Sequence, residues 1–337
     1  MDLPEPVQKQ VKPLVRHYSR GLINVDPPAH TRMRHVVQRA FTPRTIDSMA
    51  DYVSGIVERL IDAVQDQGEM DIIRDLSYPL PINVIAELMG LPVADYEKLK
   101  YWSGIIIEFM ATPKPQIEVL LSSQDALLEL QDYFRSVFKR RRSEPRDDLI
   151  STLVKDQDAG DRVAEEELVS TCVTVLIGGH ETTTYLISSG MLALMQHPEQ
   201  MRQLKEHPDM VGTAVEEMLR YEGPFQRNRR LVMEDVELGG RRIEKGQLLV
   251  QMMGAANRDP AVFPNPACFD IERQPNKHVS FGYGPHFCVG APLARLEAPV
   301  AINALLRRLP NLEVATDELI WKNNVFRGLE SLPVTFG

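Results

Sequence analysis

Cysteine is scarce. Among 337 residues there are three, Cys172, Cys268 and Cys288. So small and odd a number in a long chain excludes a disulfide framework and fits a reducing, cytoplasmic setting. Positive charge is also in deficit. A net charge of −9 argues against a protein that binds nucleic acid non-specifically, and the basic run Lys139–Arg142 reads as solvated surface. No stretch of about 18 apolar residues exists to span a membrane. The polar, proline-bearing start MDLPEPVQKQVKP has no signal-peptide core. Repeats and low-complexity tracts are absent. What remains is ordinary for a globular protein: 43% hydrophobic and 25% charged residues, with length enough for a large core without staples.

Helical periodicity fills most of the chain. It predicts helices over 30–41, 44–67, 82–90, 94–110, 116–142, 145–156, 199–206, 208–221 and 291–308. The longest candidate runs from about Ala164 to His197. Its middle, Gly178-Gly179-His180-Glu181-Thr182-Thr183-Thr184, is poor helix: two adjacent glycines cost about 2 kcal/mol relative to alanine. A locally distorted helix is expected there. Short strands are expected over 229–252 and 313–336, where alternation and glycine breakers replace the helical period. The segment 254–287 reads as irregular. The fold class is therefore mostly α with a small β region, an α+β protein.

One cysteine stands in a loop built for unusual backbone angles: Phe281 to Gly290, FGYGPHFCVG. Glycines suit positive φ or close approach of backbone. Cys288 falls just before a helix, where orphan N–H groups and the helix dipole stabilise a thiolate. Buried filler, nucleophile and metal ligand are all open to such a residue. The setting favours a soft ligand that stays deprotonated. Structural zinc and iron–sulfur sites need several ligands, whereas one axial thiolate is enough for haem iron.

The loop resembles the haem-binding signature of the cytochrome P450 family, with Phe281, Gly282, Gly284, His286, Cys288 and Gly290 at matching positions. His286 and the following APLARLEA (Ala291 to Ala298) are similar to the soluble bacterial branch. Gly178-Gly179-His180-Glu181-Thr182-Thr183 resembles that family's oxygen-activation motif. There small residues leave room for a planar cofactor, Thr182 offers a hydroxyl donor and Glu181 relays protons. The resemblance also supplies counter-ions for the two haem carboxylates: His30 and Arg34, on one helical face in His30-Thr-Arg-Met-Arg34, then Arg230 and His286. Glu217 and Arg220 match the family's E-x-x-R pair, a structural network. Its third arginine is replaced at the expected place by Cys268, with Arg273 the nearby substitute.

The resemblance implies a single cytochrome P450 domain over 1–337, with haem b as cofactor and Cys288 as axial ligand. Its implied activity is O2-dependent hydroxylation or epoxidation of a small apolar substrate. Gly178, Gly179, Phe281 and Gly290 would contact the cofactor, and Glu181 and Thr182 would serve catalysis. Electrons would come from a ferredoxin and an NAD(P)H-dependent ferredoxin reductase, docking near Arg295 and Lys277; no nucleic-acid or membrane partner is implied. Coupling, isomerisation or peroxygenase chemistry is the alternative. So is an inactive relative, because few residues precede His30 and the first helices and strands of the family read as truncated. Pro299 is a further departure, expected to kink the helix behind the loop. Ile105, Ile106, Phe109 and Met110 suit an apolar substrate or plain core packing.

Overall fold

The computed structural model describes residues 4–112, 115–158, 163–323 and 325–337. Helices dominate, and all but one of the described strands lie in the last third of the chain. Most expected helices form within a few residues of their places, among them Pro79–Leu88, Tyr96–Ala111, Ile117–Ser143 and Leu149–Asp158. Two described helices lie ahead of them, Glu5–Gln10 and Lys12–Arg20. Each carries its proline in the first turn, where a missing N–H costs nothing.

The helix expected over 44–67 is broken into pieces: Pro43–Ser48, Ala50–Asp62 and a 3₁₀ turn at Gln65–Gln67. Thr42 caps the first piece, its hydroxyl accepting the Thr45 N–H at 3.2 Å. At its end the Ser48 hydroxyl donates to the Thr45 carbonyl at 2.7 Å, competing with the backbone ladder. Gly68, at φ +71°, turns the chain out of the last piece.

The long candidate is a 32-residue helix, Glu165–Gln196, about 48 Å long. It is buried on nearly every side from Leu168 to Leu194, as befits a helix at the centre of a core. Pro79–Leu88, Val211–Glu222 and Ala291–Arg308 pack around it. Contrary to the expected distortion, it runs unbroken through Gly178 and Gly179. Packing explains part of this. A Cβ on Gly179 would stand 2.9 Å from the Ile85 side chain, and one on Gly190 2.5 Å from the Met218 sulfur. Both glycines let neighbouring helices close in, which offsets their poor propensity.

The β part is small. Pro333–Thr335 pairs antiparallel with Glu69–Asp71 on one side and Glu313–Val314 on the other, with Met70 opposite Val334. The early strand was invisible to periodicity because it is three residues long. Asn228–Leu231 pairs with Leu248–Gln251, Val236–Leu238 with Arg241–Ile243, and Trp321–Asn323 with Arg327–Leu329. The basic run 139–142 is not all surface. Arg141 is 5% exposed and holds Asp148 at 2.6 Å, joining two helices from within.

Candidate functional site

The cysteine loop takes its shape from two glycines, Gly282 and Gly284, at φ +76° and +77°, where a Cβ would be strained. The Cys288 N–H closes the loop on the Phe281 carbonyl at 2.9 Å. The sulfur stands at the start of Ala291–Arg308 and accepts backbone N–H groups from Gly290 and Ala291. Burial among surrounding protein atoms pushes the thiol pKa up. The two N–H donors, Arg34 and Arg295 pull it the other way. The side chain is nonetheless exposed. Gly290, at φ −82°, sits there as a donor and needs no left-handed angle. Among the described residues no group of three or more His, Cys, Asp or Glu could hold a metal ion, so this sulfur has no companion ligands.

Around the sulfur the structure gathers the expected cations. The rings of His30 and His286 lie 4.0 Å apart, centroid to centroid. Arg34 is close enough to Cys288 for each to shift the other's ionisation, and Arg230 acts in the same way on His286. The His30 helix, Ala29–Ala40, is tied to the central helix by Arg32, which holds Glu167 at 2.7 Å. Burial lowers the pKa of His30 and of His286, and neighbouring cations lower both further. Both ring nitrogens of His30 and Nε of Arg34 are buried without a protein hydrogen-bond partner. Buried donors are rarely left so. Donors of this kind beside an accessible thiol fit an anionic ligand, and haem, with two carboxylates and a thiolate-binding iron, has that chemistry.

On the central helix Gly178 and Gly179 part company. A Cβ on Gly178 would meet nothing within 4 Å, so this face is open. A Cβ on Gly179 would meet Ile85, so this glycine lets the neighbouring helix close in. Thr182, one turn beyond Gly178, is half-buried, and its hydroxyl donates to the Gly178 carbonyl at 2.8 Å. Glu181 is buried at 6% exposure. Ile106 is fully buried and belongs to the core, while Ile105, Phe109 and Met110 are partly buried against it.

The E-x-x-R pair is buried on both sides. Arg220 holds Glu217 through Nε and Nη2 at 2.7 and 2.8 Å, and reaches the carbonyls of Asn257, Pro266 and Cys268. Arg273 fills the third place, with Nε 3.1 Å from Glu217 Oε2. Cys268 contributes only its carbonyl. The sequence reading missed the adjacent Glu216, which binds Arg295 in a fork at 2.7 and 2.8 Å and His278 at 3.0 Å. Arg295 and His278 hold the Glu216 carboxyl down at about 2 against the opposing effect of burial. The Arg295 guanidinium lies 4.6 Å over the Phe281 ring, steadying the first residue of the loop. Arg295 and Lys277, the expected docking pair, are both exposed, although Arg295 is also tied to Glu216. Pro299 lies within Ala291–Arg308, and the helix continues through it.

Comparison with known proteins agrees. Residues 4–324 match the family described as Cytochrome P450. The biotin biosynthesis cytochrome P450 of Bacillus subtilis is 44% identical over 312 residues, covering 92% of this chain and 78% of that protein. The polyketide biosynthesis cytochrome P450 PksS of the same organism is 42% identical, covering 97% and 82%. The crystal structure of P450BioI with an acyl carrier protein ligated to hexadec-9Z-enoic acid superimposes with a TM-score of 0.94. It is 43% identical, with 99% of this chain and 86% of that one covered. Loop, unpartnered donors and likeness together place this chain in the cytochrome P450 monooxygenase family, whose members bind haem b through a cysteine thiolate.

Proposed function

We propose that this chain inserts one oxygen atom of O2 into a small apolar substrate, by hydroxylation or epoxidation, with Cys288 as the axial ligand of its haem. The observation that carries the proposal is the Cys288 sulfur at a helix start, accepting two backbone N–H groups near buried nitrogens of His30 and Arg34 that lack protein partners. When bound, haem supplies the one-electron and O2 chemistry that side chains lack. The chain's own residues do the rest. Gly290, Ala291, Arg34 and Arg295 favour the ionised sulfur. His30, Arg34, Arg230 and His286 hold the carboxylates. Gly178 leaves the central helix open, Thr182 offers its hydroxyl there, and Glu181 keeps a proton-carrying group behind it.

Electrons reach this chain from NAD(P)H through a ferredoxin and its reductase, with the face around Lys277 as the docking side. An acyl or polyketide chain is the substrate class supported by the relatives from biotin and polyketide biosynthesis and by the acyl carrier protein held in the similar crystal structure. The reading of one catalytic domain is supported by a single apolar core running from Val11 to Phe336.

A carbon monoxide difference spectrum of the reduced protein tests the ligand. The thiolate-type band is expected in the parent, in Cys172→Ala and in Cys268→Ala, and is lost in Cys288→Ala. A thiolate band that survives in Cys288→Ala overturns the assignment.

A further inference from the structure

Asn257 stands at the end of a short helix, Met253–Ala256, and is 2% exposed. Its N–H donates to the Met253 carbonyl at 2.9 Å. Its own carbonyl accepts from Arg220 Nη1 at 3.0 Å, so its backbone belongs to the Glu217–Arg220 network. Its side chain reaches a different segment. Oδ1 accepts the Val279 N–H at 2.8 Å, and Nδ2 donates to the Ser280 hydroxyl oxygen, also at 2.8 Å. A side-chain amide carries donor and acceptor on separate atoms, and both are used here. The Ser280 hydroxyl in turn donates to the Leu219 carbonyl at 2.6 Å. That carbonyl lies in the last turn of Val211–Glu222, where helical partners run out.

The two residues that Asn257 grips open the cysteine loop. The Val279 carbonyl accepts the Gly282 N–H at 2.8 Å, closing the turn that Gly282 makes at φ +76°. Phe281, next to Ser280, gives its carbonyl to the Cys288 N–H at 2.9 Å. His278, just before Val279, is bound to Glu216 through Nε2 and accepts the Ser280 N–H on Nδ1 at 3.2 Å. A chain of hydrogen bonds thus leads from Arg220 through Asn257 to Val279 and Ser280, one residue short of the carbonyl that holds Cys288. Each of these links is short and within the fold, and only Asn257 joins the two groups directly through both its backbone and its side chain.

We propose that Asn257 is a positioning residue for Cys288, fastening the start of the cysteine loop to the Glu217–Arg220 network so that the sulfur is presented from a fixed loop. This rests on the reading of Cys288 as the axial ligand.

Hydrogen exchange of the purified, haem-loaded protein tests the clasp without reference to turnover. In Asn257→Ala the amides of 279–288 are expected to exchange about tenfold faster, as the loss of two hydrogen bonds implies. Amides of the central helix, Glu165–Gln196, should keep the parent rate. Ser280→Ala leaves Asn257 its bond to Val279 and should speed the same loop amides about threefold; it decides alone if Asn257→Ala does not fold. The carbon monoxide spectrum forms the second arm: in Asn257→Ala part of the thiolate-type band should give way to the band of a thiol-ligated or displaced iron. Unchanged exchange over 279–288, an equal rise in loop and central helix, or a full thiolate band in Asn257→Ala overturns the role of Asn257. A thiolate band that survives in Cys288→Ala overturns the ligand reading instead, so the two failures are distinguishable.

Discussion

Two clusters of buried charge in this protein are built on opposite plans. Around Glu217 every charge is matched. Its carboxylate accepts from Arg220, Arg273, Asn276 and the Asp270 N–H, all between 2.7 and 3.1 Å. Around Cys288 the buried donors of His30 and Arg34 meet no protein acceptor. Leaving polar groups unpaired in the interior costs roughly 1–3 kcal/mol each, more when they are charged. A fold that matches every charge in one cluster and leaves donors open in the other is saturated where it needs rigidity and unsaturated where the proposed ligand would enter. The two arginines differ accordingly: Arg220 is structure, and Arg34 is the binding group of the proposed function.

Breaking the closed cluster should have the largest effect. Glu217→Ala strands two buried guanidinium groups, and removing one partner of a buried pair costs about 3–5 kcal/mol. Denaturant unfolding of the haem-free protein should show that loss directly. An effect below about 1 kcal/mol contradicts the account of a saturated network. The open cluster should behave in the reverse sense. Arg34→Met removes a half-buried cation whose buried Nε has no protein partner, so the stability of the haem-free protein should stay level or rise slightly. Haem retention should fall by tenfold or more, since each charge-assisted hydrogen bond is worth about 1.5–3 kcal/mol. Transfer of haem to an acceptor protein measures this. Equal stability losses in Arg34→Met and Glu217→Ala erase the distinction.

The two clusters were also unequally legible in the sequence. The open one was read almost whole, because His30, Arg34, Arg230, His286 and Cys288 sit in segments of fixed spacing. Gly178 and Gly179 looked alike as letters. Only the position of Ile85 shows that one faces open space and the other a neighbouring helix. The closed cluster was half hidden. Arg273 was named as the substitute arginine, but Asn276 and the carbonyls of Pro266 and Cys268 come from an irregular stretch with no period to read, and are brought to the Glu217–Arg220 pair by long-range packing. Arg141 was misread because three exposed neighbours masked one buried guanidinium. The helix over 44–67 was drawn too long, since side chains at Thr42 and Ser48 redirect backbone hydrogen bonds in ways that apolar periodicity does not record.

Glu297 offers the smallest and finest test of the same contrast. It follows the cysteine loop by a few residues, is fully buried, and neither carboxyl oxygen has a protein partner. It is the acid counterpart of Arg34, with no partner as Glu217 has. Burial raises its pKa well above the ordinary carboxylate value, so the folded protein holds it neutral. In the unfolded chain it ionises near pH 4.3. Between that pH and its raised folded value the unfolded state binds fewer protons than the folded one, so stability falls as pH rises, by at most about 1.4 kcal/mol per pH unit. Glu297→Gln imitates the protonated form and should abolish this slope. Parent and variant should agree near pH 4 and diverge as the pH rises above it, with the variant the more stable. Unfolding midpoints measured as the pH is raised decide the matter: parallel curves mean that Glu297 has found a partner and is not the unpaired acid its surroundings indicate.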